Sequence, residues 1–334
     1  MSCRNSGLNL PPGPTRLPIV GNLHQIGPLP HRSLQTLARR HGPVMMLKLG
    51  MVPTVVLSLP ETARDAMKTH DADCCSRPSS PGPRLLSYGY KDVAFSPYSE
   101  YVQEMRKLFI TDMLCMRCVQ AASYAREAQN TFIGGNDSSS VTMHWTMAEL
   151  MRNPRVLKKV QDEIRAVVGK KERVQHDDMR KLKYLRMVVK ETMRLHPPGT
   201  LLIPRETIRH TKVGGYDIPA KTKVIVNAWA IGRDPKIWKD PEEFCPDRFE
   251  ETDIDFNGAH FELIPFGSGC RICLGVAMAV LNMEFILANM LFCFNWELPE
   301  GMRKEDIDME EARGLTIHKK TPLLLLAIRQ YTTD

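Results

Sequence analysis

The 334-residue sequence predicts a mainly α-helical fold with small β-sheets, an α+β class, on three observations. Long runs with apolar residues at helical spacing, above all 177–195, end at breakers such as His196-Pro197-Pro198. Strand-like runs are short and bounded by Gly or Pro, as at 44–49, 54–57 and 223–228. Hydrophobic residues make up 43% of the chain, enough at this length for a large core.

Taken in order, Leu10-Pro11-Pro12-Gly13-Pro14 is a stiff extended connector, because successive prolines fix φ and cannot enter a helix or a central strand. Ser33 to His41 reads as a short helix closed by Gly42-Pro43, and 44–49 with 54–57 as a hairpin about Gly50-Met51. A helix over 60–70 follows, with Glu61 in its first turn and Ala63, Ala66 and Met67 on one face. Further helices are expected over 97–114, 132–151, 155–168 and 177–195. Strand and turn are expected over 199–216, a strand over 223–228, an apolar helix after Gly275, and a last hairpin pairing 314–317 with 323–328.

Lys and Arg number 45 against 38 Asp and Glu, a balance of +7 that reads as a solvated surface. No basic run interleaved with aromatics indicates nucleic acid. Nine cysteines without short secreted-type spacing, and with no signal peptide, fit a reducing compartment. No uninterrupted apolar run reaches the roughly 18 residues of a membrane span, 323–328 being only of strand length.

The chemistry concentrates in Phe266-Gly267-Ser268-Gly269-Cys270-Arg271-Ile272-Cys273-Leu274-Gly275, a cysteine in a glycine-built loop ahead of the apolar helix. Gly267, Gly269 and Gly275 leave room for a flat cofactor to approach the main chain, Arg271 adds a fixed positive charge, and a helix N-terminus favours negative charge. That is the environment of a metal-ligating thiolate.

The pattern Phe-x-x-Gly-x-Arg-x-Cys-x-Gly is present at every fixed position, and on it the chain resembles a cytochrome P450 of the microsomal plant type, a haem-thiolate monooxygenase. The resemblance implies the cytochrome P450 fold in a single domain over 1–334, haem b with Cys273 as its metal ligand, and a cofactor loop of Phe266, Gly267, Gly269, Arg271 and Gly275. Arg106, four residues after Val102 where the family carries Trp, and Arg205 would hold the haem carboxylates. Gly134, Gly135, Asp137 and Ser138 resemble the distal-helix motif; a local helix opening there would let Asp137 and Ser138 act as catalytic proton-handling groups. A lone Glu-x-x-Arg is ordinarily a surface pair, but Glu191 and Arg194, followed at family-like spacing by Arg248, resemble the buried network that holds the cysteine loop.

Two departures from the family matter. The opening residues carry no membrane anchor ahead of the 10–14 hinge, so the family's place on the cytoplasmic face of the endoplasmic reticulum gives way to doubtful membrane association and a cytoplasmic location. Only residues 115–131 stand where the family inserts several central helices, which places an internal deletion near 115–131.

The implied activity inserts one oxygen atom of dioxygen into a small lipophilic substrate, with electrons from NADPH through a cytochrome P450 reductase, since no nucleotide-cradling Gly-x-Gly-x-x-Gly follows a strand here. The alternative is a non-catalytic remnant with weak or no haem binding. A zinc site from Cys115-x-x-Cys118 and Cys270-x-x-Cys273 is disfavoured, because the interval between the pairs far exceeds that of a zinc ribbon.

Overall fold

The hairpin expected about Gly50-Met51 forms with antiparallel pairing of Val44–Leu49 and Val52–Leu57. The computed structural model describes residues 7–87, 89–113 and 133–330; the opening residues, the segment with Cys115 and Cys118 where a deletion is expected, and the start of the 132–151 helix at Phe132 lie outside the described residues. In chain order the elements are α1 (Pro30–His41), β1 (Val44–Leu49), β2 (Val52–Leu57), α2 (Pro60–Arg64), α3 (Pro81–Leu86), α4 (Glu100–Leu108) and α5 (Ile133–Arg152). There follow α6 (Pro154–Val168), α7 (Lys183–Leu195), β3 (Arg205–Glu206), β4 (Thr211–Val213), β5 (Tyr216–Ile218), β6 (Lys223–Val226), α8 (Ala228–Ile231), α9 (Val276–Cys293), β7 (Phe294–Glu297) and β8 (Leu326–Arg329).

These elements gather into two compact units. One comprises the described residues up to 113 with Thr200–Lys239 and Phe256–Leu274; the other comprises those from 133 to Gly199 with Asp240–Asp255 and 275–330.

The first unit is built on a four-stranded sheet in the order β1-β2-β6-β3, with β2 and β6 parallel. Side chains alternate across it. Val44, Val55, Leu57, Val224 and Val226 face Ala63, Ala66 and Met67, whereas Met45, Leu47, Val56 and Ile225 face Leu34 of α1. The proline-rich arm extends this sheet, the Met46 N–H donating to the Pro12 carbonyl at 2.8 Å, and a Cβ on Gly13 would fall 2.0 Å from the Met46 carbonyl oxygen. The helix expected over 60–70 is α2 followed by a wider π-type turn, Asp65–Thr69, and α4 likewise runs into a π-type turn, Phe109–Met113. Thr200 to Ile203 is not a strand; β3 begins at Arg205.

In the second unit α5, α6, α7 and α9 pack together. Leu185, Val188, Val189 and Leu195 of α7 are buried, and the Thr146 hydroxyl of α5 donates to Thr192 Oγ1 of α7 at 3.2 Å. The helix expected from 177 begins only at Lys183, after a 3-10 turn at Met179–Lys181, because Glu163 of α6 accepts the Tyr184 and Leu185 N–H groups at 2.8 and 3.0 Å. One expectation is overturned: the last hairpin pairs β8 with β7, not with 314–317. By length and composition alone α9 could cross a membrane, but Asn282, Glu284 and Asn289 interrupt its apolar run, as the sequence implies. Its buried residues, Leu287 and Leu291 among them, make it a core helix of its unit.

Candidate functional site

The cysteine loop lies in the first unit and is shaped by its own hydrogen bonds. The Cys273 N–H donates to the Phe266 carbonyl at 2.9 Å, closing the loop at its ends, and Ile272 N–H donates to Gly269 at 3.0 Å inside it. Gly267 and Gly269 both take positive φ, +72° and +66°, which disfavours any side chain there. Their surroundings differ. A Cβ on Gly267 would meet only Leu202 Cδ1 at 4.0 Å, an ordinary contact, so it is the positive φ and not crowding that favours glycine there. A Cβ on Gly269 would lie 2.2 Å from the Met67 carbonyl oxygen and 2.6 Å from Asp71 Oδ2, so that glycine admits the close approach of the chain's own π-turn. Gly275 caps α9 at φ −85°, a conformation open to any residue. Phe266 packs edge-on against Phe256, and Cys273 is exposed.

Around the loop stand four arginines. Arg106 of α4 donates to the Ile272 carbonyl at 2.6 Å, holding the peptide that precedes Cys273. Arg271, buried, donates to the Cys75 carbonyl at 2.9 Å and to the Ser96 carbonyl at 3.0 Å. Arg205 pairs with Asp71 at 2.6 Å and donates to the Ser268 carbonyl at 2.5 Å, so its guanidinium clamps the loop onto the turn after α2. Arg77 donates to the carbonyls of Ala94, Ile203 and Pro204. Burial first, then repulsion from Arg205, Arg271 and Arg106, pushes Arg77 down to about 9. Burial also lowers Arg106 and Arg271.

A cavity of about 320 Å³ opens beside this cluster, bordered by Tyr98, Val102, Arg106, Ile110, Cys270 and Arg271. Val102 is buried against it, an apolar wall where an indole would have brought a donor. Arg271 Nη1 is buried with no hydrogen-bond partner among the described residues.

Asp137 and Ser138 lie in the second unit, in a helix uninterrupted from Ile133 to Arg152, so the expected local opening is not present. The Thr142 hydroxyl donates back to the Ser138 carbonyl at 2.9 Å, and α-helical bonding absorbs the small residues. Asp137 accepts from the Thr316 hydroxyl at 2.5 Å, and His318 Nε2 lies 2.8 Å from the same hydroxyl and 3.5 Å from the carboxylate. Glu191, Arg194 and Arg248 come together as read. Glu191 accepts Arg194 Nε and Nη2 at 2.7 and 2.8 Å, Arg248 Nε at 3.0 Å and the Cys245 N–H at 2.8 Å. Arg194 also donates to the Pro241 and Glu243 carbonyls, so the network ties α7 to the segment 240–248. The sequence reading missed Asp71, Arg77 and His318. Arg77, ahead of Pro78 in Cys74-Cys75-Ser76-Arg77-Pro78, was the one with a local signal, a cation beside a rigid turn.

A model of the cytochrome P450 family matches residues 11–124 and 119–326. The chain belongs to the cytochrome P450 family. It is 42% identical to 4-hydroxyphenylacetaldehyde oxime monooxygenase of Sorghum bicolor, over 95% of this chain and 88% of the relative. Against 2-methylbutanal oxime monooxygenase of Manihot esculenta it is 35% identical, over 97% of this chain and 92% of the relative. These alignments run to 467 and 468 positions, so each relative carries residues that the 334-residue chain lacks. A zebra fish cytochrome P450 structure with abiraterone shares the fold, with TM-score 0.76 at 21% identity, covering 90% of this chain and 100% of that one.

Cytochromes P450 carry haem b, whose iron takes a thiolate and whose two carboxylates seek cations. The first unit fits it. Cys273 is exposed, and Arg271 keeps a buried donor unmatched beside the arginine cluster.

Proposed function

We propose that this cytochrome P450 chain is a haem-thiolate monooxygenase with Cys273 as the iron ligand. The loop around Cys273, closed by its N–H on Phe266 and steadied by Arg106 on Ile272, carries this reading. Haem b, when bound, supplies the activation of dioxygen and the insertion of one oxygen atom into substrate. Arg106 and Arg271 border the cavity, where they would hold the haem carboxylates. Arg205, paired with Asp71, also positions the loop through its bond to the Ser268 carbonyl, beside the role at a haem carboxylate expected of it. Asp137 holds a proton relay with Thr316 and His318: the carboxylate accepts the Thr316 hydroxyl, which the imidazole can replenish. Ser138 adds a second hydroxyl one residue on.

Electrons come from NADPH through a cytochrome P450 reductase, and the substrate is a small lipophilic compound. The names of the sorghum and cassava relatives make aldehyde oximes the first class to try. Residues near 115–131 mark an internal deletion, supported by the two-part family match and by alignments longer than the chain. The family's setting, the cytoplasmic face of the endoplasmic reticulum, is expected if the chain is membrane-associated. The test is turnover. Haem-loaded protein with reductase and NADPH should consume NADPH in proportion to added aldoxime and yield an oxygenated product; haem-loaded protein that does neither with any small lipophilic substrate is the non-catalytic remnant.

A further inference from the structure

The second unit grips the partners of Asp137 at a single residue between them. Thr316 and His318 flank Ile317, which is buried and has both backbone groups engaged. Its N–H donates to the Pro198 carbonyl at 3.1 Å, and its carbonyl accepts the indole N–H of Trp145 at 2.8 Å. Trp145 stands about two turns along α5 from Asp137.

The indole is itself held in place. Trp145 is fully buried and lies flat on His196, ring centroids 4.1 Å apart and planes 2° from parallel. His196 Nε2 lies 2.7 Å from Glu149 Oε1, and because a carboxylate only accepts, the imidazole N–H is the donor. Glu149, one turn after Trp145, also accepts from Asn153 Nδ2 at 3.3 Å through Oε2. Lys319, in the gripped segment, places its ammonium 5.4 Å from the centroid of the indole ring. All these residues belong to the second unit.

We propose that Trp145, with His196 and Glu149 behind it, is a positioning residue for the proton relay of Asp137, Thr316 and His318, a role that rests on the monooxygenase reading above. Residues 314–318 belong to no helix or strand, so regular backbone bonding does not set their direction. The grip on Ile317 does. Its N–H lies in the planar peptide that joins it to Thr316, and its carbonyl in the peptide that joins it to His318. Fixing both groups orients both planes, and with them the hydroxyl and the imidazole that face Asp137. Protons pass only across hydrogen-bond distance, and a displacement of about 1 Å can cost about a hundredfold in rate. Phenylalanine at 145 would keep an aromatic ring against His196 and leave the Ile317 carbonyl without its donor, which separates positioning from packing.

Two measurements on Trp145→Phe test the proposal. In the full chain without haem, hydrogen–deuterium exchange of peptides spanning 314–319 should quicken roughly two- to tenfold, the factor of one net hydrogen bond, while α7 keeps its protection. In the haem-loaded chain with reductase, NADPH and the aldoxime proposed above, haem content and KM should hold while product formed per NADPH falls at least about twofold. Glu149→Ala should move both readouts the same way, and Glu149→Gln, whose amide carbonyl still accepts from His196, should restore them; this pair decides the matter if Trp145→Phe does not fold. Unchanged exchange over 314–319, faster exchange with product per NADPH unaltered, or a fall in product that merely follows haem loss would each overturn the proposal. An unaltered chain that loads haem yet turns over no aldoxime would strike the monooxygenase reading and the relay with it. The exchange comparison needs no haem and tells that failure from a failure of the grip.

Discussion

Replacing Glu191 by Gln keeps the side chain's shape and removes its charge, leaving Arg194, fully buried, and Arg248, 11% exposed, with unbalanced positive charge. Glu191 accepts four hydrogen bonds, three of them from guanidinium groups. At about 1.5–3 kcal/mol for each bond involving a charge, simple addition would exceed the stability of many domains. Addition fails because the carboxylate's own desolvation is recovered when it is neutralised. The measured cost of breaking one member out of a buried pair, about 3–5 kcal/mol, is the better figure. Against a total of about 5–15 kcal/mol, that is a large fraction. Urea unfolding, followed by far-ultraviolet circular dichroism, should show the midpoint of Glu191→Gln falling with the slope unchanged. The double variant Glu191→Leu/Arg194→Met, which removes two charges together, should lose less than the single one. A loss below about 1 kcal/mol for Glu191→Gln, or a double variant worse than the single, would refute a buried network that stabilises through compensated charge.

Gly269→Ala should destabilise by about 1–3 kcal/mol or more, since positive φ alone costs that much for a strained residue and its Cβ would fall 2.2 Å from the Met67 carbonyl oxygen; an unchanged melting temperature would contradict the packing. Arg106→Ala should lower haem affinity roughly tenfold or more, for the loss of one charge-assisted bond of about 1.5–3 kcal/mol, read by haem titration; equal affinity would remove Arg106 from the site. Cys74 should impose a pH dependence. Its folded value is raised from 9.0 to about 12, so the folded state keeps a proton that the unfolded chain releases; stability should be full below pH 9.0 and fall as pH rises toward about 12. Thermal melts of Cys74→Ala should show a flatter decline across that range, and an identical decline would assign the effect elsewhere.

Much of this was legible in the sequence where local rules govern. The β1–β2 hairpin follows from alternation about Gly50-Met51, and α6 from helical spacing between Asn153-Pro154 and Gly169. What escaped reading depends on distant partners. The start of α7 is set by a carboxylate on α6, and β8 chose β7, so nothing near 314–317 could reveal the pairing. At the site, the motif placed Cys273, Arg271 and Phe266, but the Asp71 clamp on Arg205 and the Thr316–His318 contacts to Asp137 join segments far apart in the chain. Asp71 looks in sequence like any polar residue of a turn. The arginine cluster likewise arises from four separate segments, and its mutual repulsion exists only once they are packed.

The central claim is that Cys273 is the thiolate ligand of a bound haem. The direct measurement is haem content and the absorption spectrum of the reduced protein under carbon monoxide, for the unaltered chain and for Cys273→Ala. The account predicts bound haem with the thiolate-type band in the first and loss of that band in the second. An unaltered chain that takes up no haem, or a Cys273→Ala protein that keeps the thiolate-type band, would contradict it.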